Sequence, residues 1–93
     1  MTLSTEKMEV ELAVAIEVDG KHVTSLKLSR PKVKHLKKIE AIENDFEKAV
    51  LLVSILSGLS IDSVEELDAS DFATCSEKIE SVMAKKPQIT GEK

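Results

Sequence analysis

The amino-acid sequence predicts an α+β domain in which an N-terminal antiparallel β-hairpin is followed by three to four α-helices. Apolar and polar residues alternate over positions 10–18, and an Asp-Gly pair follows at positions 19–20. After the Arg30-Pro31 junction, apolar residues recur three and four positions apart. A period of two is typical of a half-buried strand, whereas spacings of three and four are typical of an amphipathic helix. An Asp-Gly pair beside such a strand indicates a hairpin.

The length of the hairpin loop is predicted from the face on which its leucines lie. A two-residue loop over 19–20 would place Leu26 opposite Ala13, on the polar face of the first strand. A three-residue loop over 18–20, ending in a left-handed glycine, places Leu26 opposite Leu12 on the apolar face. Because a slip of one residue moves every side chain to the other face, we expect the three-residue loop.

Capping residues and stop signals divide the rest of the chain into helices. The predicted helices are Pro31–Glu43, Asp45–Ser57, a short helix within 59–67, and about Ala69–Ala84. Proline is favoured at the first helical position, so Ser29 or Arg30 is expected to cap the first helix. Asn44 is expected to cap the second helix and Gly58 to end it in a left-handed conformation.

The apolar residues of each helix indicate how the helices pack. The first helix has one apolar stripe, consisting of Val33, Leu36, Ile39 and Ile42. The second helix is apolar nearly all round, which is typical of a central helix or of one buried in an oligomer. On the last helix, the residues predicted to point inward are Phe72, Cys75, Ile79, Val82 and Met83.

The domain organisation follows from these elements. Residues 9–84 form a single α+β domain, with the hairpin over 9–29 and the helices over 31–84. Residues 1–8 are polar and are expected to be a flexible N-terminus. Residues 85–93 include a proline and a glycine and are expected to be a flexible tail.

Charge is segregated along the chain. Residues 1–20 hold five acids and one base, residues 21–38 hold seven bases and no acid, and residues 39–93 hold twelve acids and five bases. A basic block is suited to a polyanion, to the acidic remainder of the chain, or to an acidic partner. The net charge of −4 and the presence of only two aromatic residues make nucleic acid an unlikely partner, since RNA and single-strand readers stack bases on aromatic rings.

Catalytic and metal-binding patterns are not found in the sequence. His22 and His35 are 13 positions apart, and no cysteine or carboxylate accompanies them at the spacing of a metal site. The lone Cys75 is expected to be a buried or half-buried helix residue. The acids of the cluster at 65–71 are expected to cap helices and to offset helix dipoles. We therefore expect no enzymatic activity, no cofactor and no metal. The longest apolar run, 49–53, is too short to cross a bilayer, and we expect no signal peptide.

Two segments carry a resemblance to a known family. They are VDGKHVTSLKLSRPKVKHL at 18–36 and AVLLVSILSGLSIDSVEELDASDF at 49–72. The chain resembles the small tail assembly chaperones of contractile-tailed phages and prophages, including the Mu-like ones, over about residues 10–83. The recurring positions of the second string are Leu56, Gly58, Leu59, Val64, Leu67, Asp68, Asp71 and Phe72. Ser29 departs from the family pattern, in which a second basic residue is common there, and the following helix is unusually rich in lysine.

The resemblance implies a non-enzymatic role. Such proteins bind the long helical tape-measure protein and keep it soluble until the tail-tube subunits assemble around it. The expected partner is therefore the tape-measure protein, with tail-tube subunits as a further candidate. Self-association is expected separately, because the nearly all-apolar second helix is typical of one buried in an oligomer. The expected location is the host bacterial cytoplasm, and the protein is not expected in the mature virion.

A partner-binding surface is predicted from exposed apolar and basic residues. The predicted residues are Leu26, Leu28, Arg30, Lys34, Lys37, Val50, Val53 and Leu56. The alternative for the apolar members is burial in the core of the monomer. Two other functions remain open: a small nucleic-acid-binding regulator that uses the basic helix over 30–38, and a minor structural protein of the tail.

Overall fold

The computed structural model describes residues 8–84 as a two-stranded antiparallel hairpin followed by four helices. The elements are β1 (Met8–Val18), β2 (Lys21–Leu28), α1 (Val33–Ile39), α2 (Asp45–Ser57), α3 (Ile61–Glu65) and α4 (Ala69–Ala84). The predicted α+β class is confirmed. Residues 1–7 and 85–93, predicted to be flexible, lie outside the described residues, and Met8 begins β1. No helix within residues 8–84 is long and apolar enough to cross a membrane.

The loop of the hairpin has two residues, so the predicted three-residue loop is wrong. Val18 pairs with Lys21, and Asp19 and Gly20 both have positive φ, at 54° and 81°. This geometry is that of a type I′ turn, whose twist matches the twist of the two strands.

An irregularity in β1 moves the leucines to the apolar face in place of a longer loop. Glu11 pairs with Ser25 and Ile16 pairs with Val23. Residues 12–15 of β1 therefore stand opposite a single residue of β2, and we call this segment the β1 bulge. The three extra residues are an odd number, so the bulge changes the parity of the pairing: Ile16 stands opposite the odd-numbered Val23, whereas Val10 stands opposite an even-numbered residue. As a result Leu26 pairs with Val10, and both are buried.

Helix α2 lies at the centre of the domain, as its apolar sequence predicts. It packs against α1, α3, α4 and β2. The Asn44 side chain accepts a hydrogen bond from the Glu47 backbone N–H at 3.0 Å, and Gly58 ends the helix with φ 82°. The predicted bounds of α2 and α4 are confirmed. The core consists mainly of aliphatic side chains from both strands, α2, α3 and α4, together with the buried Cys75.

Helix α1 is shorter and more exposed than the predicted helix Pro31–Glu43. It begins after Lys32, which is its N-cap in place of Ser29 or Arg30, and it ends at Ile39. Ile39 is buried, but Val33 is 72% exposed and Leu36 is 37% exposed. Short helices are held mainly by the apolar surface that they bury, and α1 buries little. Lys34 and Lys38 are also four positions apart, and like charges at this spacing destabilise a helix.

Candidate functional site: two grooves beside α2

The structure divides the predicted partner-binding residues between the core and the surface. The apolar five are all buried and pack in one cluster: Leu26, Leu28, Val50, Val53 and Leu56. The basic three are exposed: Arg30, Lys34 and Lys37. Since the buried five would reach a partner only if the core opened, the apolar surface available in the closed domain must come from other residues.

Asp71 has a role that its position in the first turn of α4 does not indicate. Its two carboxylate oxygens accept hydrogen bonds from the backbone N–H groups of Ala13, at 2.9 Å, and Val14, at 3.0 Å. Both donors lie in the β1 bulge, and Asp71 is only 4% exposed. A bulge leaves backbone groups without their strand partners, and a buried unpaired N–H is costly. Asp71 satisfies two of them and fastens α4 to the hairpin, so its carboxylate serves the fold.

Asp68 is the cap at the start of α4. Its carboxylate accepts hydrogen bonds from the Ser70 hydroxyl, at 2.6 Å, and from the Ser70 backbone N–H, at 3.1 Å. The hydrogen bond from the Ser70 hydroxyl has the larger effect and the one from the Ser70 N–H the smaller, and both lower the pKa of Asp68. The sequence predicts either Asp68 or Ser70 as this cap, and the structure shows Asp68 in that role. Asp68 and Asp71 thus both accept hydrogen bonds that support the fold. The structure does not arrange these two carboxylates as an acid–base pair.

The lone thiol is not placed for chemistry. Cys75 is buried on α4, as predicted, and burial, followed by the nearby Asp71 carboxylate, raises its pKa. A thiol with a raised pKa is a poor nucleophile. Within residues 8–84, no three His, Cys, Asp or Glu side chains lie close enough together to hold a metal ion.

A first groove runs between α2 and α4 on the side of α1, and we call it the α1-side groove. Its apolar residues include Ile39 of α1, Leu52 of α2 and Met83 of α4, and its volume is about 330 Å³. Asp45, Lys48 and Glu80 also line it, so charged residues of both signs border the groove. Met83, predicted to point inward, is instead 42% exposed at one end of this groove.

A second groove lies on the other side of α2, between α2, α3 and α4, and we call it the phenylalanine groove. The Phe46 and Phe72 rings lie in it with their centroids 5.3 Å apart and their planes tilted by 52°. Val50, Val64 and Leu67 are its buried apolar residues, and its volume is about 630 Å³. Its charged residues are acidic and exposed: Glu47 and Glu65. Phe46 is 64% exposed, which is unusual for so large an apolar side chain.

The basic surface consists of α1 and its N-cap residue, Lys32. Lys32, Lys34, Lys37 and Lys38 are all exposed. The Lys32 backbone N–H donates to Nδ1 of His35 at 2.9 Å, which closes the first turn of α1. Partial burial, then the charges of Lys34, Lys38 and Lys32, lower the pKa of His35. His35 thus caps α1 as a neutral side chain among three positively charged lysines.

The sequence pattern did not predict the exposure of Phe46, Met83 and Val33. Each lies at a helical position that pattern alone assigns to an apolar face. The two phenylalanines are the only aromatic residues of the chain, and this scarcity was the one signal that could have directed attention to the phenylalanine groove.

A family model described as "Phage tail assembly chaperone proteins, E, or 41 or 14" matches residues 9–84 of the chain. The match covers the hairpin and all four helices, including Asp71 and both grooves. Comparison with curated proteins gave no match, and neither did comparison with solved structures.

Proposed function

Since the chain belongs to the phage tail assembly chaperone family, we propose that it binds the tape-measure protein and keeps it soluble during tail assembly. Membership of this family supports a chaperone role with protein partners. The proposed role is non-enzymatic, and it is exercised in the host cytoplasm before the tail is complete. The tape-measure protein is the partner that the resemblance in sequence implies.

The observation that carries the proposal is the α1-side groove. A long helical protein presents amphipathic stretches that aggregate unless their apolar stripes are covered. A groove with apolar residues inside and charges of both signs around it is suited to an amphipathic helix. Ile39, Leu52 and Met83 offer contact to the apolar stripe, and Asp45, Lys48 and Glu80 offer contact to its polar flanks.

The exposed apolar surface of the domain is consistent with reversible binding of the tape-measure protein. A chaperone must release its partner when the tail-tube subunits assemble, so a modest contact area is an advantage. Exposed apolar surface on a small domain commonly marks an interaction site. Arg30, Lys34 and Lys37 stay predicted contacts of a partner, because Lys34 and Lys37 are exposed on α1 and Arg30 is exposed shortly before it.

The test is co-expression of the chain with the tape-measure protein of the same tail, followed by affinity capture and mass measurement by light scattering. We expect a soluble complex of defined ratio and an insoluble tape-measure protein when it is expressed alone. A tape-measure protein that is soluble alone and is not captured would refute the proposal.

Met83 and Ile61 provide a matched pair of variants for this test. Both are exposed to nearly the same extent, at 42% and 43%, but only Met83 lines the α1-side groove. Burial of an apolar side chain is worth roughly 1.5–3 kcal/mol, and 1.4 kcal/mol is about tenfold in affinity. We expect Met83→Glu to weaken capture by about tenfold, whereas Ile61→Glu leaves it unchanged. Equal effects of the two variants would place the contact elsewhere.

Nucleic-acid binding is the second candidate, because the three exposed lysines of α1 and its exposed N-cap residue Lys32 form a basic surface. Phosphate contacts release counterions, so binding of this kind would fall steeply with added salt. Salt-dependent binding of duplex DNA, abolished by substitution of Lys34 and Lys37, would favour a regulator over a chaperone. Retention of the protein in purified particles would favour the third candidate, a minor structural protein of the tail.

A further inference from the structure

Helix α1 combines exposed apolar residues with a high density of positive charge. Val33 is 72% exposed and Leu36 is 37% exposed. The four lysines, at positions 32, 34, 37 and 38, are also exposed. Two apolar side chains surrounded by lysines are suited to a surface that is apolar at its centre and acidic at its edge.

The phenylalanine groove has this complementary character. Phe46 and Phe72 are its aromatic lining residues, and Glu47 and Glu65 are the charged residues among those that line it. It therefore matches α1 both in the class of its apolar surface and in the sign of its charge.

The two surfaces lie on different sides of α2. Ile39 of α1 shares the α1-side groove with the face of α2 that contains Ala49 and Leu52. The phenylalanine groove uses a different face, which contains Phe46 and Val50. No residue of α1 lines the phenylalanine groove of its own chain, and α1 packs against α2.

We propose that α1 of one copy docks in the phenylalanine groove of a second copy. A contact between two phenylalanine grooves would oppose acids to acids, and a contact between two α1 helices would oppose lysines to lysines. Only the pairing of α1 with the groove brings opposite charges together. Burial of the exposed Val33 and Phe46 provides the affinity, and the charges select the pairing and its orientation.

A contact between two different surfaces is heterologous. Each dimer keeps one free α1 and one free groove, so further copies can add at both ends. The mass should therefore rise beyond that of a dimer as the concentration increases. The contact does not use Met83, and the α1-side groove does not include Glu47 or Glu65. Substitutions at Met83 and at these two acids therefore test capture of the tape-measure protein and self-association separately.

The first test is sedimentation velocity on the nuclease-treated chain over a series of concentrations, at low and high salt. We expect a mass that increases with concentration and decreases with salt, because exposed charges are screened. A chain that stays monomeric at every concentration would overturn the proposal. Association that disappears on nuclease treatment would also overturn it, and would assign α1 to nucleic acid.

Charge reversal makes the test specific to this pairing. Lys34→Glu/Lys37→Glu/Lys38→Glu makes α1 acidic, and Glu47→Lys/Glu65→Lys makes the groove basic. Each variant alone should be monomeric, because its own pairing is repulsive. A mixture of the two should associate again, because each α1 then meets a groove of opposite sign. A mixture that associates no more than its components would rule out the α1–groove contact.

Matched controls carry the same charge changes elsewhere. Lys21→Glu/Lys27→Glu/Lys78→Glu and Glu9→Lys/Glu11→Lys change exposed residues outside α1 and the phenylalanine groove. Both should associate as the wild type does, and circular dichroism should show native helix content for all variants. Equal loss of association in the controls would mean that net charge alone is responsible.

Discussion

The hairpin and α1 differ in how far distant contacts determine their structure. In the hairpin, Asp71 of α4 holds two backbone N–H groups of the β1 bulge, although it is 57 and 58 positions away. In α1, the hydrogen bond that closes the first turn comes from a side chain only three positions away, that of His35. The hairpin is thus tied to the rest of the fold, whereas α1 is a local structure with little burial. The comparison indicates that contacts of the hairpin determine the free energy of unfolding, whereas α1 is available for binding.

Removal of the Asp71 carboxylate should produce the largest effect. Asp71→Ala leaves the Ala13 and Val14 N–H groups unpaired, and a hydrogen bond to a charged group is worth roughly 1.5–3 kcal/mol. We expect the free energy of unfolding to fall by about 4 kcal/mol, measured by urea denaturation. Asp71→Asn keeps one acceptor oxygen and should lose less. A loss no larger than that of Asp68→Ala, which removes only the cap of α4, would show that the bulge does not depend on Asp71.

Two leucines compare the hairpin with α1 directly. Leu28 is fully buried and Leu36 is 37% exposed. Leu28→Ala creates a cavity in the core and should cost about 3 kcal/mol, since such changes typically cost 2–5 kcal/mol. Leu36→Ala should cost less than about 1 kcal/mol, as is usual near the surface. The ratio of the two losses, from thermal or urea unfolding, measures the difference in packing. Similar losses would mean that α1 is as tightly packed as the hairpin.

The ends of α2 and the start of α4 were predicted correctly, because they depend on capping residues next to them in the sequence. Asn44 and Gly58 bound α2 where the sequence places them, because a capping side chain and a left-handed glycine act on their own neighbours. The start of α4 is equally local, since Asp68 caps it through Ser70.

The hairpin loop and the bulge depend on information that the strand itself does not contain. The alternation of apolar residues correctly required Leu26 to face the core. It did not distinguish a longer loop from a bulge, since both shift the strand by an odd number of residues. The choice depends on a carboxylate from α4, and a local pattern does not record which distant side chain will reach the bulge.

The two grooves could not be predicted from the sequence, because they too depend on contacts between distant elements. Val33 and Phe46 have the spacing of core residues, and only the arrangement of α1, α3 and α4 around α2 leaves them exposed. The five apolar residues predicted to bind a partner are instead the ones that hold this arrangement together. These five residues are thus buried, and the exposed apolar surface includes side chains at the edges of the packing, such as Val33 and Phe46.

The smallest expected effect concerns the cap of α1. Nδ1 of His35 accepts the Lys32 N–H only when this nitrogen is unprotonated, and the folded pKa of His35 lies below its ordinary value of 6.5. The unfolded chain therefore binds this proton more readily, so the stabilisation is fully present above pH 6.5 and is lost as the pH falls through the folded pKa. Unfolding experiments across this range should show a component of pH dependence that His35→Ala removes. His22→Ala is the control, because His22 lies on the hairpin, and it should leave that component intact. If His35→Ala leaves the pH dependence unchanged, the hydrogen bond from Lys32 to His35 does not stabilise the fold.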